Sequence, residues 1–171
     1  NACYLVDTHL GYDIRLHWAR QFDHVFCAQK SGAERMQGDG VKAQWLPLAC
    51  HPTAHPNLGE LQQHPEIGQI APRGLDKQFD VAFVGYINQG DGTAESNNRM
   101  DYLEKLFASV PNFWITTNCF FEDMAARFAR ARLGFNISIR DDLNMRFFEI
   151  LSTGTCLLTN TDVVGWRDLG F

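Results

Sequence analysis

The sequence lacks the features that mark several specialised classes of protein. No apolar run approaches the roughly 18 residues that a membrane helix needs, so we expect no transmembrane segment. The five cysteines are far apart and form no Cys-x-x-Cys pair, which indicates reduced thiols and a cytoplasmic protein. Positive charge is not in excess, because the formal net charge is −5. We therefore expect no nucleic-acid partner, since an acidic chain repels a phosphate backbone.

What the sequence does have is the composition of an ordinary globular chain, with 45% hydrophobic, 12% aromatic and 20% charged residues. Its 171 residues can form one sizeable core or two small ones. In residues 1–50, short apolar runs alternate with helical patterns. Strands are predicted at 3–7, 24–28 and 43–49, and helices at 11–22 and 31–40. This β-α-β-α-β order indicates a doubly wound parallel sheet.

Two local patterns give these first helices more detail. Ile14, Trp18 and Phe22 recur at helical spacing and indicate the apolar face of the first helix. Ser31 is the residue type that caps a helix start, so we expect the second helix to begin there.

Prolines and glycines interrupt every periodicity in 51–77, which predicts a linker between two domains, with room for a short helix at 58–64. The alternation then resumes, with strands predicted at 79–85, 113–117, 133–138 and 155–160 and helices at 97–109, 121–132 and 143–153. We thus predict domains at 1–50 and 78–171. About 50 residues are too few to bury both faces of a sheet, so we expect an incomplete first domain, a truncated second one and a longer parent protein.

A polar strip lies at the start of the helix predicted at 143–153. On a helical wheel, Arg146 and Glu149 fall opposite the apolar side, which is formed by Leu143, Phe147, Ile150 and Leu151. Asp142 is the predicted N-cap, so the N–H groups that follow it lack helical acceptors and can bind an anion such as a diphosphate. The helix follows a strand, so its start lies at the carboxyl edge of the sheet, where open α/β sheets bind ligands.

These residues also have structural explanations. Arg146 and Glu149 can form an exposed ion pair worth about 0.2–0.5 kcal/mol without any ligand. Asp141 and Asp142 can serve only as capping residues. Guanidinium groups suit phosphate, but the local arginines can equally form a solvated face: Arg127, Arg130, Arg132, Arg140 and Arg146.

The stretch "DDLNMRFFEILSTGTCLLTN", residues 141–160, resembles the nucleotide-sugar-binding motif of GT-B glycosyltransferases of the glycosyl transferase group 1 family, and most closely the CgeB-like (spore-maturation protein) group. "FDVAFVGYI" at 79–87 resembles the same group. The resemblance implies an α/β fold of two Rossmann-like domains with parallel sheets. It further implies a UDP-, GDP- or TDP-sugar donor bound mainly by the second domain, an unknown acceptor, no cofactor and no bound metal.

The resemblance also implies roles for individual residues. Many members carry two acidic residues as E-x7-E, and here Asp141 and Glu149 stand as D-x7-E. Glu149 would accept hydrogen bonds from the donor ribose hydroxyls, and Asp141 would lie near the donor sugar. The amides of Leu143 and Asn144 would hold the diphosphate. On this assignment Glu149→Ala weakens donor binding and barely changes folding.

Several further residues are candidates for the site. Arg140, Arg146 and Arg99 are cations that could reach phosphate, and Gly85 could let the backbone approach the donor; a solvated arginine and an ordinary strand-end glycine are the alternatives. Asp7 and His9 follow the first strand, and histidine readily takes a proton near neutral pH, as an inverting transfer requires. A histidine held by local hydrogen bonds is the alternative.

The sequence predicts neither a metal site nor a nucleoside triphosphate loop. His51 and His55 are spaced i,i+4, but the neighbouring prolines argue against a helical zinc pair. Our main prediction is therefore sugar transfer. The alternatives are a nucleotide-sugar epimerase on the same scaffold, which needs more acid and base groups than Asp7 and His9, and a catalytically inactive nucleotide-sugar-binding domain in a larger assembly.

Overall fold

A computed structural model describes residues 1–51, 53–63, 77–87, 94–138, 140 and 142–170, with the backbone alone for 94–98. The chain forms two compact units. The first unit comprises Asn1–Leu48, Arg140–Asn144 and Thr161–Phe171, and the second unit comprises Ala49–Ile139 and Met145–Asn160. The domain boundaries drawn from the sequence remain a prediction.

The first unit contains a three-stranded parallel sheet in the order β1-β2-β3. Its elements are β1 (Ala2–Leu5), α1 (Tyr12–Ala19), β2 (His24–Cys27), α2 (Lys30–Gly38), β3 (Ala43–Trp45) and a 3-10 helix (Trp166–Leu169). Val25 and Cys27 of β2 are buried and pack with Met36 of α2. The predicted β-α-β-α-β order is confirmed.

The predicted apolar face of α1 is wrong at two of its three residues, while the third, Phe22, packs against the core of the first unit. Ile14 and Trp18 are 67% and 59% exposed, whereas Tyr12 and Ala19 are the buried residues of the helix. The reason is a polar anchor: the Tyr12 hydroxyl donates to Asp39 Oδ2 over 2.6 Å, and the Arg35 guanidinium carbon lies 3.5 Å from the centre of the Tyr12 ring. This anchor turns the tyrosine side of α1 toward the sheet.

The predicted cap of α2 is also wrong. The helix begins at Lys30, and its N-cap is Gln29 rather than Ser31. The Gln29 side chain is buried and accepts hydrogen bonds from the backbone N–H and hydroxyl of Thr8. Gln29, whose side chain binds Thr8 in the β1–α1 loop, thus occupies the N-cap position that residue preference assigned to Ser31.

The second unit contains a four-stranded parallel sheet in the order β5-β4-β6-β7. Its elements are α3 (Leu58–Gln63), β4 (Phe79–Val84), α4 (Ala94–Ser109), β5 (Phe113–Thr116), α5 (Phe121–Ala129), β6 (Ala131–Asn136), α6 (Met145–Ser152) and β7 (Cys156–Thr159). Two sheets of parallel strands with helical connections confirm the predicted α/β fold class.

Both faces of the second sheet are covered. Val81 and Phe83 of β4 pack into one core, while Ala82 and Val84 alternate into the other. Gly134 of β6 brings a helix close: a Cβ there would lie 2.5 Å from Cγ2 of Ile150 on α6. The missing side chain therefore sets how closely α6 packs on the strand.

The start of α3 is fixed by a reciprocal pair of hydrogen bonds. The N–H of Glu60 donates to Asn57 Oδ1 over 3.0 Å, and the N–H of Asn57 donates to Glu60 Oε2 over 2.9 Å. This is a capping box, with both side chains satisfying helix-start N–H groups. Leu61 of α3 is buried and packs on the alanines of α5. The segment before α3 is thereby held in place.

Candidate functional site

The carboxylate of Glu149 on α6 is buried. Only 6% of the residue is exposed, so the alternative of an exposed ion pair between Arg146 and Glu149 is wrong. The helical wheel placed Glu149 away from the apolar cluster of α6, but that side of the helix is also covered by protein. What covers it is polar, because Glu149 contacts an imidazole and a guanidinium.

The imidazole belongs to His55, whose Nε2 lies 2.9 Å from Glu149 Oε1. His55 Nδ1 accepts a hydrogen bond from the N–H of His51 over 3.0 Å. A ring nitrogen that accepts carries no proton, so we assign the proton to Nε2, facing the carboxylate. In this hydrogen-bond pattern the ring is neutral and presents its Nε2–H to the carboxylate. The sequence suggested neither this contact nor a role for His55.

The guanidinium belongs to Arg146, one turn earlier on α6. Its Nη1 lies 2.8 Å from Glu149 Oε2, and its Cζ lies 5.8 Å from the centre of the Phe128 ring. The i,i+3 pair considered from the sequence is present, but it is partly buried instead of being a solvated surface pair. Among the described residues, Arg146 Nη1 has no hydrogen-bond partner, so its contact with Oε2 is an ion pair only. Each carboxylate oxygen of Glu149 thus contacts one side chain.

The start of α6 is electropositive. The helix begins at Met145, two residues later than predicted, so Leu143 and Asn144 precede it and the helix-start amides are those of Met145 and Arg146. The first turn contains no acidic residue. Arg146 adds a fixed positive charge beside these amides. This helix start can therefore attract an anion.

Cys119, between β5 and α5, lies close to two arginines, Arg127 and Arg146. Burial raises the pKa of the Cys119 thiol, and Arg127 and Arg146 oppose that rise only in part. The thiol therefore stays protonated near neutral pH. This makes Cys119 a poor nucleophile, because the thiolate is the reactive form.

Gly85 and Arg99 have structural roles in the second unit. The N–H of Gly85 donates to Thr116 O over 3.1 Å, and a Cβ at Gly85 would lie 2.8 Å from Cζ of Phe83. The Arg99 Nη1 donates to the carbonyl oxygen of Tyr86 over 2.7 Å. Gly85 and Arg99 therefore both contribute contacts at the end of β4. Their contact with a donor remains a prediction.

In the first unit, the loop after β1 holds Asp7 and His9. The Asp7 carbonyl accepts from Arg15 Nε over 3.1 Å and from the N–H of Leu10 over 2.9 Å. His9 Nδ1 lies 3.9 Å from Asp142 Oδ2, which is beyond hydrogen-bonding distance. The structure thus shows that Asp142 is a neighbour of His9. The sequence had assigned Asp142 only to helix capping.

Three predicted site residues that precede α6 in the sequence belong to the first unit and not to the second. Leu143 is buried at 3% exposure in the first unit, which also contains Arg140 and Asn144. Arg140 has a positive φ of 56° and an exposed side chain. Asp141 lies outside the described residues. Leu143 and Asn144 precede the first helical residue of α6, and the diphosphate contact of their amides stays a prediction.

Within the described parts of the chain, no three His, Cys, Asp or Glu side chains are grouped so that they could hold a metal ion. No described helix has both the length and the apolar character needed to cross a membrane.

The sheet, α5 and α6 of the second unit lie within the part of the chain that matches a known family. The model of a family described as glycosyl transferase-like matches residues 77–170, which is more than half of the chain. A comparison with curated proteins finds no match. The chain belongs to the glycosyl transferase-like family, and its function is therefore of the glycosyltransferase type.

Proposed function

We propose that the protein transfers a sugar from a nucleotide-diphosphate sugar to an acceptor, and that α6 binds the donor. The observation that carries this proposal is the carboxylate of Glu149, which is held between His55 and Arg146. A carboxylate accepts hydrogen bonds from hydroxyl groups such as those of a ribose. Family membership supports the reaction class.

The burial of Glu149 favours tight binding of such hydroxyls. A hydrogen bond to a charged group contributes about 1.5–3 kcal/mol, and the contribution is larger where water is excluded. With 6% of its surface exposed, the Glu149 side chain is largely shielded from water. The ribose is therefore the part of the donor that we assign to this residue.

The diphosphate is assigned to the start of α6. The amides of Met145 and Arg146 lack intrahelical acceptors, and the Arg146 guanidinium lies in the same turn. Amides, helix dipole and guanidinium all favour an anion. The amide role that the sequence gave to Leu143 and Asn144 thus moves to the next two residues. Arg140 and Arg99 remain proposed phosphate contacts, and Asp141 a proposed donor-sugar contact.

The finer parts of the proposal follow from the resemblance rather than from α6. They are a GT-B arrangement, membership of the CgeB-like group, no requirement for a metal, and no cofactor beyond the UDP-, GDP- or TDP-sugar donor. The proposed cytoplasmic location rests instead on the widely spaced cysteines. His9, with Asp142 3.9 Å away, is the proposed base for the acceptor hydroxyl, and Asp7 is its proposed neighbour in catalysis.

A donor screen tests the proposed function. We expect one of the UDP-, GDP- or TDP-sugars to raise the unfolding temperature, since a ligand at 100 times its Kd stabilises by about 2.7 kcal/mol. The same donor should lose its sugar to an acceptor, or slowly to water, in the presence of the full-length protein. Stabilisation by no nucleotide sugar in the panel would contradict the proposal.

A further inference from the structure

We propose that His55 is a positioning residue for the donor, which orients the Glu149 carboxylate so that it accepts hydrogen bonds from the sugar hydroxyls of the nucleotide. This inference rests on the proposed function. It starts from the Nε2 to Oε1 distance of 2.9 Å and from the burial of both side chains, which are 8% and 7% exposed.

The imidazole is fixed from several sides. The N–H of His51 donates to Nδ1, and the Phe121 ring centre lies 6.1 Å from the His55 ring centre. Two residues further on, Asn57 and Glu60 form the capping box of α3, whose Leu61 packs on α5. The ring therefore has little freedom to turn, and its Nε2 offers the carboxylate a constant partner.

A neutral donor suits this task better than a second cation would. Arg146 already attracts Oε2 of Glu149 from within the same helix. Another positive charge would compete with the ligand, because it would neutralise the carboxylate. The N–H of a neutral imidazole fixes Oε1 and leaves the negative charge available for ribose hydroxyls. Without it, only the flexible arginine would orient the carboxylate.

The experiment compares His55→Gln with His55→Met. These side chains have similar length and volume, but only glutamine donates a hydrogen bond. The probe is the tightest-binding member of UDP, GDP and TDP, together with its analogue lacking one ribose hydroxyl: 2′-deoxy for UDP or GDP, 3′-deoxy for TDP. Calorimetry gives the ratio of the two Kd values, which reports the hydroxyl contact. A variant that only destabilises the fold would weaken both ligands equally and leave this ratio unchanged.

We expect the wild type to bind the analogue about tenfold or more weakly, as one lost hydrogen bond to a charged group implies. The ratio should stay near this value in His55→Gln and fall about threefold or more in His55→Met. The control His24→Leu changes an exposed histidine of the first unit and should leave the ratio unchanged. A wild-type ratio that His55→Met retains would overturn the positioning role while the proposed function stood.

Two further results separate the remaining possibilities. If the wild type binds no nucleoside diphosphate, the proposed function itself fails, and the inference fails with it. If His55→Met does not fold, nitrogen NMR of wild-type histidine rings decides: we expect the Nε2–H tautomer at His55 and a change in its Nε2 resonance on saturation with the same nucleotide. An Nδ1–H tautomer, or no change on saturation, would overturn the proposal.

Discussion

The imidazole of His55 and the carboxylate of Glu149 meet at 2.9 Å between Nε2 and Oε1, and each side chain is more than nine-tenths buried. They come from opposite ends of the second unit's sequence, one before α3 and the other within α6. Arg146 completes the cluster at 2.8 Å from the other carboxylate oxygen. Removing any member therefore leaves a buried polar group without its partner, which changes what mutagenesis should show.

Glu149→Ala should destabilise the protein, contrary to the sequence-based expectation that it barely affects folding. Removing one partner of a buried charged pair costs about 3 kcal/mol or more. Glu149→Gln should cost less, because its amide oxygen still accepts from His55. Urea unfolding measures both changes. The control Glu104→Ala, at an exposed position of α4, should change stability by less than about 0.5 kcal/mol. An equally harmless Glu149→Ala would argue against the buried cluster.

Gly134→Ala should destabilise the contact between β6 and α6. The new Cβ would lie 2.5 Å from Ile150 Cγ2 and 3.1 Å from Phe128 Cδ1, and overpacking of this kind costs about 1–3 kcal/mol. Gly38→Ala is the matched control, since a Cβ there meets nothing within 4 Å, and it should stabilise by about 0.4–1 kcal/mol. Unfolding free energies that do not separate the two variants would contradict this packing.

Asn57→Ala should cost about 1 kcal/mol, because an amide oxygen that satisfies the start of α3 is lost. Glu60→Ala removes the reciprocal bond, so the two changes should not be additive. A double-mutant cycle in urea should give a coupling of about 0.5 kcal/mol or more, while Gln63→Ala at the other end of α3 should show none with Asn57→Ala. Strict additivity of the first pair would mean that the capping box contributes nothing.

The Tyr12 hydroxyl should lose its proton at a higher pH than an ordinary tyrosine does. Burial, and then the hydrogen bond to the Asp39 carboxylate, raise the pKa of Tyr12 from 10.0 to about 12. Because the folded pKa lies above the unfolded one, the stabilisation is complete below pH 10 and is lost as the pH rises toward 12. The phenolate absorbance of wild type minus that of Tyr12→Phe should rise near pH 12, with circular dichroism monitoring the fold. A difference curve centred near pH 10 would contradict this assignment.

The sequence predicted the elements well because each depends on local pattern. Apolar runs between turn residues predict β1 to β7, and parallel pairing follows from the helices between them. The faces of helices were less predictable. Ile14 and Trp18 have the spacing of a buried stripe, yet the hydrogen bond between Tyr12 and Asp39 rotates α1 the other way. Periodicity gives relative orientation, while the choice of buried side depends on contacts distant in sequence.

Only part of the candidate site could be predicted from the sequence. Glu149 and Arg146 could be selected from the helix following β6, because a parallel sheet places such a helix start at its carboxyl edge. The partner His55 could not, since it comes from the proline-rich segment before α3 and no spacing rule connects the two. The Asn57-x-x-Glu60 pattern was the available signal that this segment is ordered. It indicates a fixed helix start but does not reveal what the preceding histidine contacts.

The most direct test of donor binding by α6 is calorimetric titration of the wild type and Glu149→Gln with the best-binding nucleoside diphosphate. We expect the wild type to bind and the variant to bind about tenfold or more weakly, because a charged acceptor of ribose hydroxyls becomes a neutral one. Equal affinity of the two folded proteins would contradict the central claim that the Glu149 carboxylate binds the donor.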